Sequence, residues 1–314
     1  MAQAAFTLRQ LRYFVAAVEE GGVAQASRRL NISPPSVSDS IKKLEESFGV
    51  QLFIRHHASG VSLTPAGSRF YEHALRLLRH AREFEQNARA ELDIMTGRIE
   101  LGCFATVTPA YMPGLLAGFS SEYPLVEVHL TEGSRDQLVA DLSSGVFDLV
   151  MLYDYGLPAE IQRTPLLPPL GASVVLPKNH RLAGASKLSL RQLSNEPLIL
   201  LDVKPSSEYF LGLFQRLGIT PHVAYRSPSI EMVRGLVGRG LGYSVLVTRP
   251  VHNLTYDGFE LVTIPVRDDL PASNLVMAWH SRSRLTKPSQ VFVSYCKSRI
   301  ATVRGDLLVN AVNK

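Results

Sequence analysis

The chain is poor in cysteine. Its two thiols, Cys103 and Cys296, lie far apart and form no CxxC pair. That excludes a disulfide framework and fits a reducing compartment. Long apolar runs are also missing. Although 46% of the 314 residues are hydrophobic, no uninterrupted stretch approaches a membrane span, so the composition argues for packed cores and against both disorder and membrane insertion. The opening "MAQAAFTLRQLRYF" meets arginines early and carries no apolar core before a cleavage site, which points to the cytoplasm. Enzyme signatures are lacking too: no GxSxG, GxxxxGK[ST] or HExxH, and no clustered Cys/His set. A non-enzyme without metal or cofactor is expected. Gly235, Gly238, Gly240 and Gly242 in "GLVGRGLGYS" follow a helical pattern and precede a strand, the reverse of a dinucleotide loop, so they predict a tight turn.

What the chain does have is local basic charge. The net charge is +5, and Lys42, Lys43, Arg55, His56 and His57 cluster in one short segment. The histidine pair is no metal site, because neighbouring side chains on a strand point to opposite faces. Before the cluster, Leu8, Leu11, Phe14 and Val18 recur at helical spacing up to Gly21-Gly22, and "VAQASRRL" makes a second short helix. In "SPPSVSDSIKKLEESFG", Val37, Ile41, Leu44 and Phe48 form a third stripe, with Ser33 as the N-cap, prolines in the first turn and Gly49 as the stop. Two helices joined by a three-residue turn, the second with Pro35, Ser38, Asp39 and Lys42 on its polar side, make a helix-turn-helix. Serines and lysines at such a helix start reach base edges and phosphates in a major groove. "VQLFIRHHASGVSLT" predicts a hairpin wing that brings Arg55 and His56 to the backbone or minor groove. The competing reading is a small helical subdomain with a solvated face.

From Pro65 to about Ile94 a long helix carries Phe70, Ala74, Leu77, Ala81, Phe84 and Ala88 at alternating steps of four and three, a seam for pairing with a second copy. After Gly97 strand-like and helical runs alternate, which predicts an α/β region of largely parallel sheets with helices on both faces. The proline-rich "TPLLPPLGAS" divides it into two sheets joined by crossing strands, and ligands of such folds sit in the cleft at strand ends. The expected organisation is a winged helix-turn-helix over 1–64, a linker helix over 65–96 and a two-lobed domain over 97–302. Lobe 1 takes about 97–170 and 273–302, lobe 2 about 171–272, and a tail follows over 303–314.

The order "LRQLRYFVAAVEEGGVAQASRRLNISPPSVSDSIKKLEESFGVQLFIR…LTPAG" resembles the N-terminal signature of LysR-type transcriptional regulators. "TEGSRDQLVADLSSGVFDLVML" and "EMVRGLVGRGLGYSVL" resemble two further stretches of that family. The resemblance implies a periplasmic-binding-protein-like effector domain and a homotetramer, a dimer of dimers, on an interrupted inverted repeat near a promoter. A small organic or amino acid effector in the inter-lobe cleft then changes DNA bending, and RNA polymerase is the further partner. The family commonly has glutamine where Pro34 stands and often Arg or Gln where Asp39 stands; Ala58 replaces a frequent arginine in a wing one residue longer than usual. The DNA contacts retained are Ser33, Ser36, Ser38, Lys42, Arg55 and His56, with Pro34 and Pro35 as apolar contacts to thymine methyls.

For the effector, the resemblance places contacts at Thr106 and Thr108, with more from Ser134, Tyr153, Asp202 and Ser229. Thr108 and Ser229 also suit plain helix caps. Cys103 falls on a strand predicted to be buried, so it is expected in the core and not as a redox sensor. Two rival readings remain: a solute-binding protein of the same bilobal fold, and an enzyme with a bilobal active site.

Overall fold

The computed structural model describes residues 6–56, 60–90, 95–248, 250 and 252–303. His57, Ala58 and residues 304–314 of the expected tail lie outside the described residues, as do the side chains of Arg55, His56 and Ala88. The chain divides into two compact units, Met1–Ile94 with Ser143–Val146, and Met95–Leu142 with Phe147–Lys314.

The first unit begins with α1 (Leu8–Glu19), α2 (Val23–Leu30) and α3 (Pro34–Phe48). Thr7 starts α1 with a capping box, its hydroxyl accepting from the Gln10 amide while the Gln10 side chain accepts from the Thr7 amide. Three apolar stripes converge: Leu11, Phe14 and Ala17 from α1, Ala26 from α2, and Val37, Ile41 and Leu44 from α3, all buried. α3 carries Pro34 and Pro35 at its first two positions, where missing amides cost no intrahelical bond, and ends on Gly49 at φ 64°. The wing pairs β1 (Phe53–His56) antiparallel with β2 (Gly60–Leu63). The unit ends with α4 (Pro65–Ala90).

In the second unit, β3 (Gly97–Phe104), α5 (Thr108–Glu122), β4 (Val126–Gly133), α6 (Arg135–Ser144), β5 (Leu149–Tyr153) and β6 (Ile161–Pro165) come first. The next set is β7 (Ser173–Pro177), β8 (Leu198–Leu201), α7 (Ser206–Arg216), β9 (Val223–Ser227), α8 (Ile230–Gly238), β10 (Ser244–Leu246) and β11 (Leu261–Pro265). The chain then returns through β12 (Leu275–His280) to α9 (Lys287–Val303). Lobe 1 is a sheet of order β4-β3-β5-β12-β6, and lobe 2 holds β10-β7-β11 and β8-β9.

The expectation of largely parallel sheets is corrected. β3 runs parallel to β4 and β5, and β8 to β9, but β12 is antiparallel to β5 and β6, and β7 to β10 and β11. The cause lies in the two crossings. The outgoing and returning segments run in opposite directions and pair with each other, Leu170 and Ser273 exchanging two backbone hydrogen bonds of 2.8 Å. The glycines after α8 lead into β10, the helix-turn-strand order expected of them.

Candidate nucleic-acid interface and inter-lobe cleft

α3 turns one edge to solvent. Ser33, Pro34, Pro35, Ser36, Asp39 and Lys42 are exposed, whereas Ser38 is half-buried and lines a groove between α2, α3 and the wing. Ser33 has the extended backbone of an N-cap, but its hydroxyl bonds the Ser36 hydroxyl at 2.8 Å and caps no amide. The reason is the two prolines. They remove two of the donors a cap would serve, and the Ser36 amide already bonds the Ser33 carbonyl. Both hydroxyls therefore stay at the surface.

Asp39 does not face outward as a bare charge. Lys43 Nζ stands 2.8 Å from its carboxylate, and this hydrogen bond raises the Lys43 pKa. Lys42 has a looser partner, Glu46 at 3.6 Å, and both are well exposed. Surface pairs of this kind contribute little to stability, so Lys42 exchanges Glu46 for a phosphate at small cost.

The wing is held by side chains from outside it. Glu45 on α3 accepts from the amides of Leu52 (2.8 Å) and Phe53 (3.3 Å). Thr64 donates to the Gln51 carbonyl at 2.7 Å and accepts from the Gly67 amide at 2.8 Å, starting α4. At Gly67 a side-chain carbon would overlap the Leu52 carbonyl. The "LTPAG" stretch is thus a helix start pressed against the wing's first strand.

The first half of the seam expected along α4 packs within its own unit. Phe70 packs on Phe14 and Phe48 at centroid distances of 5.3 and 5.0 Å, and Ala74 is buried. Both complete the core of their own unit, because α4 lies across α1 there. Ala81 is half-buried, while Leu77 and Phe84 are 38% and 75% exposed. The same aromatic cluster accounts for Phe48, which is buried less than its stripe predicts and meets Phe6 and Phe70 ring to ring.

Between the lobes, Thr106, Tyr153, Tyr155, Ser206, Tyr209, Thr248 and Ser273 surround an inner cavity of about 10 Å³, room for about one water, together with five apolar residues. No charged side chain lines it among the described residues. Tyr153 of lobe 1 hydrogen-bonds Thr248 of lobe 2 at 2.6 Å, Tyr155 hydrogen-bonds Ser273, and Tyr209 donates to the Pro271 carbonyl at 2.6 Å. The rings of Tyr155 and Tyr209 lie 5.0 Å apart. Burial pushes both phenols up, so they remain neutral donors. A wider chamber of about 670 Å³ adjoins this cavity across Thr106, Ile230 and Thr248, a size usual for small-molecule sites. Its Arg234 is committed to Glu231 at 2.7 Å and to the carbonyls of His252 and Leu254 at 2.8 and 2.9 Å.

The six effector positions fare unequally. Thr106 and Tyr153 line the inner cavity, and Ser229 lines the wider chamber while capping α8 through the Met232 amide. The other three line neither of these two cavities. Thr108 is buried and donates to the Phe104 carbonyl at 3.2 Å, one turn back, which also removes it from capping. Ser134 is exposed at the start of α6 and accepts from the Gln137 amide at 3.4 Å. Asp202 faces Arg226 at 3.6 Å, and both side chains are exposed. Ser206, Tyr209, Thr248 and Ser273 were not expected. Single polar residues on separate elements leave no local pattern, although the Tyr153-Asp154-Tyr155 run did hint at an aromatic, hydrogen-bonding pocket.

Cys103 and Cys296 are fully buried, and desolvation pushes Cys103 up to about 12 and raises Cys296 as well. Among the described residues no cluster of three or more His, Cys, Asp or Glu could hold a metal ion, and no helix is long and apolar enough to cross a membrane.

Comparison with known proteins places both halves. Residues 8–68 match the bacterial regulatory helix-turn-helix protein, lysR family, and residues 94–301 match the LysR substrate binding domain. HinK, a LysR family transcriptional regulator from Pseudomonas aeruginosa, is 53% identical, with 94% of this chain and 98% of HinK covered at a TM-score of 0.65. The HTH-type transcriptional regulator YvbU of Bacillus subtilis is 32% identical over 241 residues, 76% of this chain and 81% of its own. Full-length CbnR, solved in complex with its target DNA, shares the fold at 21% identity, with 95% of this chain and 100% of that one covered and a TM-score of 0.64.

Proposed function

The chain belongs to the LysR family of transcriptional regulators, and from that premise we propose how it reads and answers. α3 enters a major groove of promoter DNA with Ser33, Pro34, Pro35 and Ser36 at the base edges and Lys42 on phosphate, and the wing bears on the adjoining backbone. The reading is carried by one observation: the two prolines open α3 and expose its leading edge while Val37, Ile41 and Leu44 anchor it from behind. Four chains act together as a dimer of dimers in the cytoplasm, bound to an interrupted inverted repeat and signalling to RNA polymerase. A small molecule in the inter-lobe cleft, in contact with Thr106 and Tyr153, sets the geometry of the bound DNA. Lobes alone also suit a solute-binding protein or a bilobal enzyme; the helix-turn-helix in front of them favours a regulator.

The test is titration of the full-length protein onto the duplex upstream of its own gene and onto random duplex at several salt concentrations. Log affinity falls linearly with log salt, by about 0.9 per phosphate neutralised, and the upstream duplex is preferred at each concentration. Equal affinity for both duplexes would sink the reading.

A further inference from the structure

Two arginines of α1 carry charge that the fold does not answer. Arg9 and Arg12 stand three residues apart on one exposed face of the helix, and neither has a hydrogen-bond or ion-pair partner among the described residues. The acids of these first helices are engaged elsewhere. Glu19 and Glu20 hold Arg29, Asp39 holds Lys43, Glu46 holds Lys42, and Glu45 holds the amides of the wing. Arg9 is also at the unfavourable end of its helix. It lies in the first turn of α1, which has no acidic residue, so its cation meets the positive pole of the helix dipole. A further cation is close by. The Lys43 pKa is raised, chiefly by the hydrogen bond to Asp39, and the charge of Arg9 acts in the opposite direction, so the two side chains are within reach of one another. Positive charge held together against both repulsions calls for an anion from outside the chain.

The position of these residues around α3 says which anion. Phe6, just before α1, meets Phe48 at the end of α3 with ring centroids 5.6 Å apart, whereas Gly21, just after α1, accepts from the Val61 amide of the wing at 3.4 Å. Arg9 is thus at the end of α1 remote from the wing. α3 shows the same division. Glu45 turns to the wing, and Lys43, two residues earlier, lies about 200° around the helix from it. One flank of α3 therefore has the wing, and the other has Arg9 beside Lys43. A helix in a major groove runs between two walls of phosphate, one from each strand. The wing reaches one wall, and the planar donors of guanidinium groups suit the other.

We propose that Arg9 and Arg12 form a second phosphate-binding edge of the DNA-binding unit, closing on the backbone across the major groove from the wing. This rests on the reading of α3 as the helix in the groove and adds the partner of its other flank.

The experiment combines salt-dependent titration with phosphate-ethylation interference on the upstream duplex, using full-length protein throughout. The double variant Arg9→Ala/Arg12→Ala binds upstream and random duplexes about tenfold or more weakly, and its salt slope falls by about 1.8 for each DNA-binding unit engaged, about 0.9 per phosphate released. Arg9→Lys/Arg12→Lys keeps most of the slope. Ethylation of one or two phosphates blocks wild type and no longer matters to the double alanine variant. These phosphates lie on the strand opposite those whose interference is lost in the wing variant Arg55→Ala. Without DNA, the double alanine variant melts no lower than wild type, because it loses a cation at the positive end of α1. An unchanged slope overturns the proposal, as does interference at the same phosphates in wild type and variant. A lowered melting temperature overturns it too, by giving the arginines a structural role.

Wild type and Lys42→Ala separate this failure from that of the broader reading. If wild type prefers the upstream duplex and Lys42→Ala lowers the slope while the arginine variants do not, the second edge falls and α3 stands. If wild type shows no preference for the upstream duplex, the reading of α3 falls and the second edge with it.

Discussion

Lys42 and Pro35 lie two helical turns apart on the same exposed edge of α3, yet they give a duplex different information. A lysine on phosphate adds affinity to any sequence, while an apolar ring against a base edge changes which sequence is preferred. Lys42→Ala is expected to weaken upstream and random duplexes alike and to lower the salt slope by about one. Pro35→Ala leaves random binding nearly intact and shifts operator preference by about 1 kcal/mol at one position, the low end for a single base pair. Competition titrations on a randomised operator measure both, and equal losses on all sequences for both variants would show that α3 reads no bases. Deeper in the chain, Cys103 gives a pH prediction. Its folded pKa of about 12 stands above the ordinary thiol value, so its contribution to stability is complete below pH 9 and is lost as pH rises towards 12. Native protein at pH 8 should resist alkylation at both cysteines and take up two equivalents once unfolded; fast native labelling would contradict the burial.

At the scale of elements, the wing depends on a residue outside it. Glu45→Ala removes the acceptor of the Leu52 and Phe53 amides, leaving two partly buried donors unpaired at a cost of about 1–3 kcal/mol. Chemical denaturation reads that loss. DNA affinity falls with it because the wing loses its anchor, and an unchanged midpoint would refute the assignment. Gly67→Ala sets two effects against each other. Alanine is favoured in a helix by about 1 kcal/mol, but its side-chain carbon overlaps the Leu52 carbonyl, a backbone atom that cannot swing aside. The clash wins, so the variant is less stable than wild type, and a higher melting temperature would reverse that order. These devices mark the border of what the sequence discloses. The stripe of Val37, Ile41 and Leu44, the hairpin and the linker helix were legible because their signals repeat at fixed spacing. The bond from Glu45 to amides seven and eight residues on was not, since it depends on where two elements meet. In the cleft, Thr106 and Tyr153, which the resemblance named, line the inner cavity, while Thr108 and Asp202 turn to other partners, the Phe104 carbonyl and Arg226, that no local pattern announces.

For the whole molecule, the linker helix poses the remaining problem of exposed apolar surface. Phe70 and Ala74 are satisfied within their own unit, but Leu77 and Phe84, one heptad apart, are not. Phe84 has the size of a core residue yet is 75% exposed among the described residues, a surface that the proposed second α4 alongside would cover. Because Phe84 is largely exposed among the described residues, Phe84→Asp should leave helix content and the melting of the DNA-binding unit close to wild type while opposing association through a buried charge. Sedimentation equilibrium then shows a shift from tetramer or dimer towards smaller species. Affinity for the two-half-site operator falls by about 10² or more, since the second half-site contact is no longer intramolecular, while binding to a single half-site hardly changes. A variant of unchanged mass and operator affinity would locate the partner contact elsewhere on the chain and leave Phe84 as an exposed ring of no consequence for assembly.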